Sequence, residues 1–169
     1  MDGYLIDTSA LSALLDPLKP NHQLAQNTIE SLESEAPKYV SAIALAELEF
    51  GCRLAEIFEH NSPERFADII QRARSYPLLA ITKHTSTYYA QLKAGLAQTY
   101  LQKALKRPKK PRWLEDWVDK ATGKMLQIDE NDLWMAAQAS ERNLVLVTGD
   151  AKMTRIQDAN PQDIRIRVI

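Results

Sequence analysis

Two stretches of this chain share one plan. Tyr4-Leu5-Ile6-Asp7 is a short apolar run that ends in a carboxylate, and Thr8-Ser9 follows as a helix start. Leu144-Val145-Leu146-Val147 is an uninterrupted apolar run, and the turn Thr148-Gly149 leads to Asp150 and a helical segment from Ala151. Apolar runs that do not alternate suit strands buried on both faces, as in a parallel sheet covered by helices. The carboxyl ends of such strands lie along one edge, where open α/β sheets place their ligands. Asp7 and Asp150 are therefore expected at one rim, provided that their strands are neighbours.

Three more strands are expected: Lys38 to Ser41 after the break at Pro37, Leu78 to Ile81 after Pro77, and the alternating Ile164 to Ile169. Between them, helical spacing is read over residues 9–15, 20–34, 42–59 (capped by Ser41), 63–75, 85–105, 131–142 (stopped at Asn143) and 151–157. Strands alternating with helices imply an α/β fold with a mainly parallel five-stranded sheet and helices on both faces. The 169 residues, 45% hydrophobic and 25% charged, suit one globular domain over 1–169.

Composition narrows the chemistry. With a net charge of -1 there is no global basic field, so any nucleic-acid footprint must be local. Cys52 is the only cysteine, and His22, His60 and His84 are scattered. That excludes an intrachain disulfide framework and Cys-based zinc sites, and leaves hard-cation sites of oxygen ligands open. No run approaches the roughly 18 apolar residues of a membrane span. Met1-Asp2-Gly3 shows no basic-then-apolar leader. No membrane association and a cytoplasmic location are expected.

Two further acids stand out. Glu47 shares a helix stripe with Ala44, Leu48 and Gly51, so it either faces the protein beside a cation or is an exposed helix glutamate like Glu49. Asp132 stands in the first turn of the apolar helix that carries Ala136 and Ala137, where capping alone explains an acid. Asp150 has the same bland explanation. As a set, however, carboxylates converging without Lys or Arg repel one another, and Mg²⁺ or Mn²⁺ relieves the repulsion. Such a site suits phosphodiester hydrolysis, because the metal activates water and offsets charge on the leaving oxygen. There is no Gly-rich phosphate loop and no nucleophile–His pairing. A haloacid-dehalogenase type of phosphatase also starts with an acid after a strand, but needs a second aspartate two residues on, where Ser9 stands.

Leu5-Ile6-Asp7-Thr8-Ser9, Ser41-Ala42-Ile43-Ala44-Leu45-Ala46-Glu47-Leu48, Asn131-Asp132-Leu133-Trp134-Met135-Ala136-Ala137 and Val147-Thr148-Gly149-Asp150, in this order, resemble the four motifs of PIN-domain ribonucleases, in particular VapC-type toxins of bacterial toxin–antitoxin pairs. The resemblance spans nearly the whole chain. It implies a three-layer α/β/α fold and a Mg²⁺ or Mn²⁺ site on Asp7, Glu47, Asp132 and Asp150. It also implies endonucleolytic cleavage of RNA, with Thr8, Ser9 and Thr148 as supports for the carboxylates or the attacking water. A homodimer and a small antitoxin partner are implied by the same resemblance.

The main departure is an insertion at about 106–127. It opens with five Lys or Arg in seven residues, Lys106, Arg107, Lys109, Lys110 and Arg112, interrupted by Pro108 and Pro111. The run either grips RNA phosphates or is a solvated loop, and Trp113 and Trp117 either stack on bases or pack onto the domain. The alternative to a nuclease is a non-catalytic RNA- or partner-binding module of the same fold.

Overall fold

The computed structural model describes residues 3–58, 63–101 and 113–169. The basic run of the insertion lies outside them. The elements are β1 (Tyr4–Ile6), α1 (Thr8–Leu15), α2 (His22–Glu30), β2 (Lys38–Ser41), α3 (Ala42–Ile57), α4 (Pro63–Arg74), β3 (Leu78–Leu79), α5 (Thr85–Leu96), α6 (Glu130–Glu141), β4 (Val145–Thr148), α7 (Thr154–Ala159) and β5 (Arg165–Val168). The five strands form one sheet in the order β3-β2-β1-β4-β5. Every pairing is parallel, so the expected "mainly parallel" sheet is parallel throughout, and Leu5 faces Tyr39 on one side and Leu146 on the other.

That order fixes where a ligand can sit. From β1 the chain winds outward through β2 to β3, then returns to β4 beside β1 and winds the other way to β5. Right-handed crossovers put α1 to α4 on one face and α5 to α7 on the other. The packing agrees: α1 meets α2, α3 and α4, whereas α5 meets α6 and α7. Winding reverses between β1 and β4, which opens a crevice at their carboxyl ends.

The central strands are apolar because both faces are covered; Leu5, Ile6, Leu146 and Val147 are fully buried. Ala136 and Ala137 are also fully buried, and their small side chains let α6 lie close to its neighbours. Gln138, beside them, is buried without charge. Its Oε1 accepts from Ser41 Oγ at 2.6 Å and its Nε2 donates to the Leu79 carbonyl at 2.9 Å, which joins α6 to β2 and β3.

Some boundaries differ from those expected. The second helix stops at Glu30, four residues early, where Ser31 takes up the last turn. The long fifth helix changes to a wider π-type turn over Ala97–Leu101. Residues 113–129 follow α5 as a clamp: Leu114–Asp116 make a single 3-10 turn, and Val118 bridges Met125 around Gly123 at φ 72°. Trp117 is buried and packs onto the domain, whereas Trp113 is 54% exposed. The clamp is fastened to α5 and α6 through Glu130, which accepts from Lys93 Nζ at 2.5 Å, from the Leu114 N–H at 3.1 Å and from the Tyr89 hydroxyl.

Candidate metal centre

Asp7 leaves β1 and caps α1, and only 2% of it is exposed. Its Oδ1 accepts the Ala10 N–H at 2.8 Å and Ser9 Oγ at 2.9 Å; its Oδ2 accepts from Thr148 Oγ1 at 2.5 Å. Ser9 Oγ in turn accepts the Gly149 N–H at 2.8 Å, and Thr148 Oγ1 accepts the Asp150 N–H at 3.0 Å. A side chain at Gly149 would press on Ser9 Oγ at 3.1 Å. The ends of β1 and β4 are thus laced together by hydroxyls, with Asp7 at the middle. Burial holds the Asp7 carboxyl above the usual carboxylate range, against the pull of these hydrogen bonds and with a push from Asp150.

Glu47 is half-buried on α3 and reaches across to two other elements. Its Oε2 accepts from the Thr8 hydroxyl of α1, and its Oε1 accepts from Asn131 Nδ2 of α6 at 2.7 Å. Asp132 belongs to a capping box: its N–H donates to Asp129 Oδ1 at 2.8 Å, and its Oδ2 accepts the Asp129 N–H at 3.1 Å. Burial pushes the Asp132 carboxyl up to about 7, and the charges of Asp129, Asp7 and Glu47 add to the rise against that one backbone hydrogen bond. Asp150 caps the turn at Ala151–Met153 through Oδ1, 2.9 Å from the Lys152 nitrogen.

All four acids line one cleft of about 870 Å³ at the carboxyl edge of the sheet, together with Thr8, Ser9, Asp129 and Glu115. Thr148 sits just behind, fully buried. Acids elsewhere that lose solvent are matched by cations: Glu130 by Lys93, Glu141 by Arg142, Asp16 by Arg65. Among the described residues, none of Asp7, Glu47, Asp132 and Asp150 forms an ion pair. The donor set is therefore all oxygen, net negative and without a protein counter-ion, which fits a hard divalent cation. The cage is not closed: among the described residues no three acidic, His or Cys side chains stand in a metal-holding arrangement. Each carboxylate is held separately, by caps, by hydroxyls and, for Glu47, by the Asn131 carboxamide as well.

Several lining residues escaped the sequence reading. Asp129 is the strongest, and its signal was present: an acid three residues before Asp132 at a helix start is the capping-box pattern. Asn131 does not line the cleft but holds Glu47, and in the sequence only its place in the third motif marks it. Lys19 and Gln127 come from loops and Glu115 from the single 3-10 turn, and none of them carries a periodic signal. The expected RNA-contacting residues Lys106, Arg107, Lys109, Lys110 and Arg112 lie outside the described residues.

A doubly wound parallel sheet with a carboxylate-rich cleft at its switch point, its four acids without ion-pair partners among the described residues, defines the class: an α/β protein with its candidate site at the strand ends. The PIN domain family matches residues 4–159, and the chain belongs to that family. No curated protein matches it in sequence. Its fold is that of VapC toxins of VapBC toxin–antitoxin systems. A chain of VapBC2 from Rickettsia felis, solved bound to a promoter DNA fragment, is 21% identical over 98% of this chain and 97% of that one, with a TM-score of 0.64. One of VapBC-5 from Mycobacterium tuberculosis is 18% identical over all of both chains, also at 0.64. VapC20 from Mycobacterium tuberculosis, described as a sarcin–ricin loop cleaving toxin, is 12% identical over 90% and 93%, at 0.52. Among the described residues no helix is long and apolar enough to cross a membrane.

Proposed function

We propose that this protein is a Mg²⁺- or Mn²⁺-dependent endoribonuclease and the toxin of a toxin–antitoxin pair. One observation carries the reading: among the described residues Asp16, Glu130 and Glu141 each pair with a cation, whereas four carboxylates from four elements line one cleft and none of them forms an ion pair. Asp7, Asp132 and Asp150 would hold the metal, and Glu47 would hold it or orient the attacking water. The bound ion supplies an activated water and offsets charge on the leaving oxygen. The chain's own contribution is positional. Ser9 and Thr148 fix the Asp7 carboxylate, and Thr8 and Asn131 fix Glu47 at the mouth between α1 and α6.

The family supports the partners. Solved relatives were crystallised as VapBC and FitAB-type complexes, so a small antitoxin protein is proposed here too; a homodimer is proposed on the motif resemblance alone. We also propose that the chain forms a single domain and that the basic run at 106–112 contacts RNA. The alternative is a non-catalytic RNA- or partner-binding module, supported by the basic run that Trp113 and Trp117 follow in the sequence. The test is cleavage of cellular RNA by purified protein. Cutting that requires Mg²⁺ or Mn²⁺, stops with EDTA and returns on adding metal is expected. Binding of RNA with no metal-dependent cutting of any substrate would favour the module.

A further inference from the structure

Part of the cleft wall comes from the chain that leads into α6, through Met125, Gln127 and Ile128. Gln127 has a left-handed backbone, φ 56°. Glutamine is not among the residues that adopt this conformation readily. The other described non-glycine residue of this kind, Asn143, is such a residue, and it follows the end of α6.

The neighbours of Gln127 impose the bend. Leu126 and Ile128 are each 1% exposed. The Leu126 N–H donates to the Trp117 carbonyl at 2.9 Å, and Arg155 Nη1 donates to the carbonyls of Leu126 and, at 3.3 Å, Met125. Two residues on, Asp129 caps α6 beside Asp132. With both flanking side chains turned into the core, Gln127 is left exposed on the cleft wall, and no hydrogen bond to another described residue occupies its carboxamide. Strain that the surroundings over-determine gathers at sites that bind ligands. A carboxamide sets a donor and an acceptor side by side, which matches the edge of a base. The acids of the cleft floor cannot do this, because they offer acceptors alone.

We propose that Gln127 is a specificity-determining residue that reads the edge of a base beside the scissile phosphate, an inference that rests on the RNA-cleaving reading above. Cleavage of a random-sequence RNA pool in Mn²⁺, with the cut ends sequenced, tests it. Wild type is expected to prefer one base at a position flanking the cut. Gln127→Ala and Gln127→Gly are expected to flatten that preference by about five- to tenfold, the worth of one or two hydrogen bonds. Glycine keeps the bend without strain, so a melting temperature at or above wild type separates loss of the amide from loss of the fold. A preference unchanged in the Gln127→Gly variant overturns the proposal while leaving cleavage intact. A wild-type protein that cuts nothing in the pool overturns the RNA-cleaving reading itself.

Discussion

Replacing Asp132 with Asn separates a metal-site carboxylate from a simple helix cap. Burial and three neighbouring acids push the Asp132 carboxyl up to about 7, from an ordinary value of 3.8. A carboxyl that holds its proton more tightly in the fold favours folding while protonated. Its contribution is complete below about pH 4 and is lost as pH rises through about 7. Over the two units from pH 5 to pH 7 the loss is at most about 2.7 kcal/mol, at 1.36 kcal/mol per unit. Partial solvent access reduces this to roughly 1–2 kcal/mol. Asn keeps an oxygen to accept the Asp129 N–H and removes the charge. Urea denaturation in EDTA should therefore show Asp132→Asn gaining roughly 1–2 kcal/mol on wild type between pH 5 and pH 8. Saturating Mg²⁺ at pH 8 should reverse the order, raising wild type by about 2.7 kcal/mol at a hundred times its Kd and the variant by less. A variant that is equally destabilised at both pH values and indifferent to Mg²⁺ would exclude Asp132 from a metal site and leave it as a cap.

Three other perturbations bear on the account. Thr8→Val removes the hydroxyl that donates to Glu47; cleavage should fall about 10- to 100-fold with the melting temperature nearly unchanged, and a rate within twofold of wild type would remove Thr8 from the site. Lys19 is the only cation lining the cleft among the described residues. Lys19→Ala should lower the slope of log K against log salt for single-stranded RNA by about 0.7, one phosphate contact; fluorescence anisotropy in EDTA reads this, and an unchanged slope denies the contact. Gln138→Ala leaves the Leu79 carbonyl and Ser41 hydroxyl without their partner and should cost about 2–4 kcal/mol in urea denaturation, whereas a loss under 1 kcal/mol would show that the network carries little.

What could be read in the sequence, and what could not, follows the range of the forces involved. The strands and helix starts are local, written in apolar runs and caps: starts expected at Ser9, Ala42 and Asn131 fall at Thr8, Ala42 and Glu130. The shared rim of Asp7 and Asp150 follows from their repeated strand–acid–helix plan. That β1 and β4 are adjacent is a fact of sheet order, which no local pattern carries. Glu47 stood open between an inward and an exposed position; what settles it inward is Thr8, 39 residues away, and Asn131, 84 residues away. Gln127 was invisible because its left-handed bend is imposed by Leu126, Ile128 and Arg155 rather than preferred by glutamine itself. Trp117 and Trp113 looked alike in sequence. The clamp around Glu130 buries one and leaves the other half-exposed.

If the four carboxylates form one metal-dependent RNA-cleaving site, neither the metal nor Asp7 can be removed without loss of cutting. RNA cleavage by wild type and Asp7→Asn proteins of matched purity and fold, each with Mg²⁺, with Mn²⁺ and with EDTA, tests it most directly. Wild type is expected to cut in either metal and not in EDTA, and Asp7→Asn is expected not to cut under any condition. Cleavage by Asp7→Asn at the wild-type rate would contradict it.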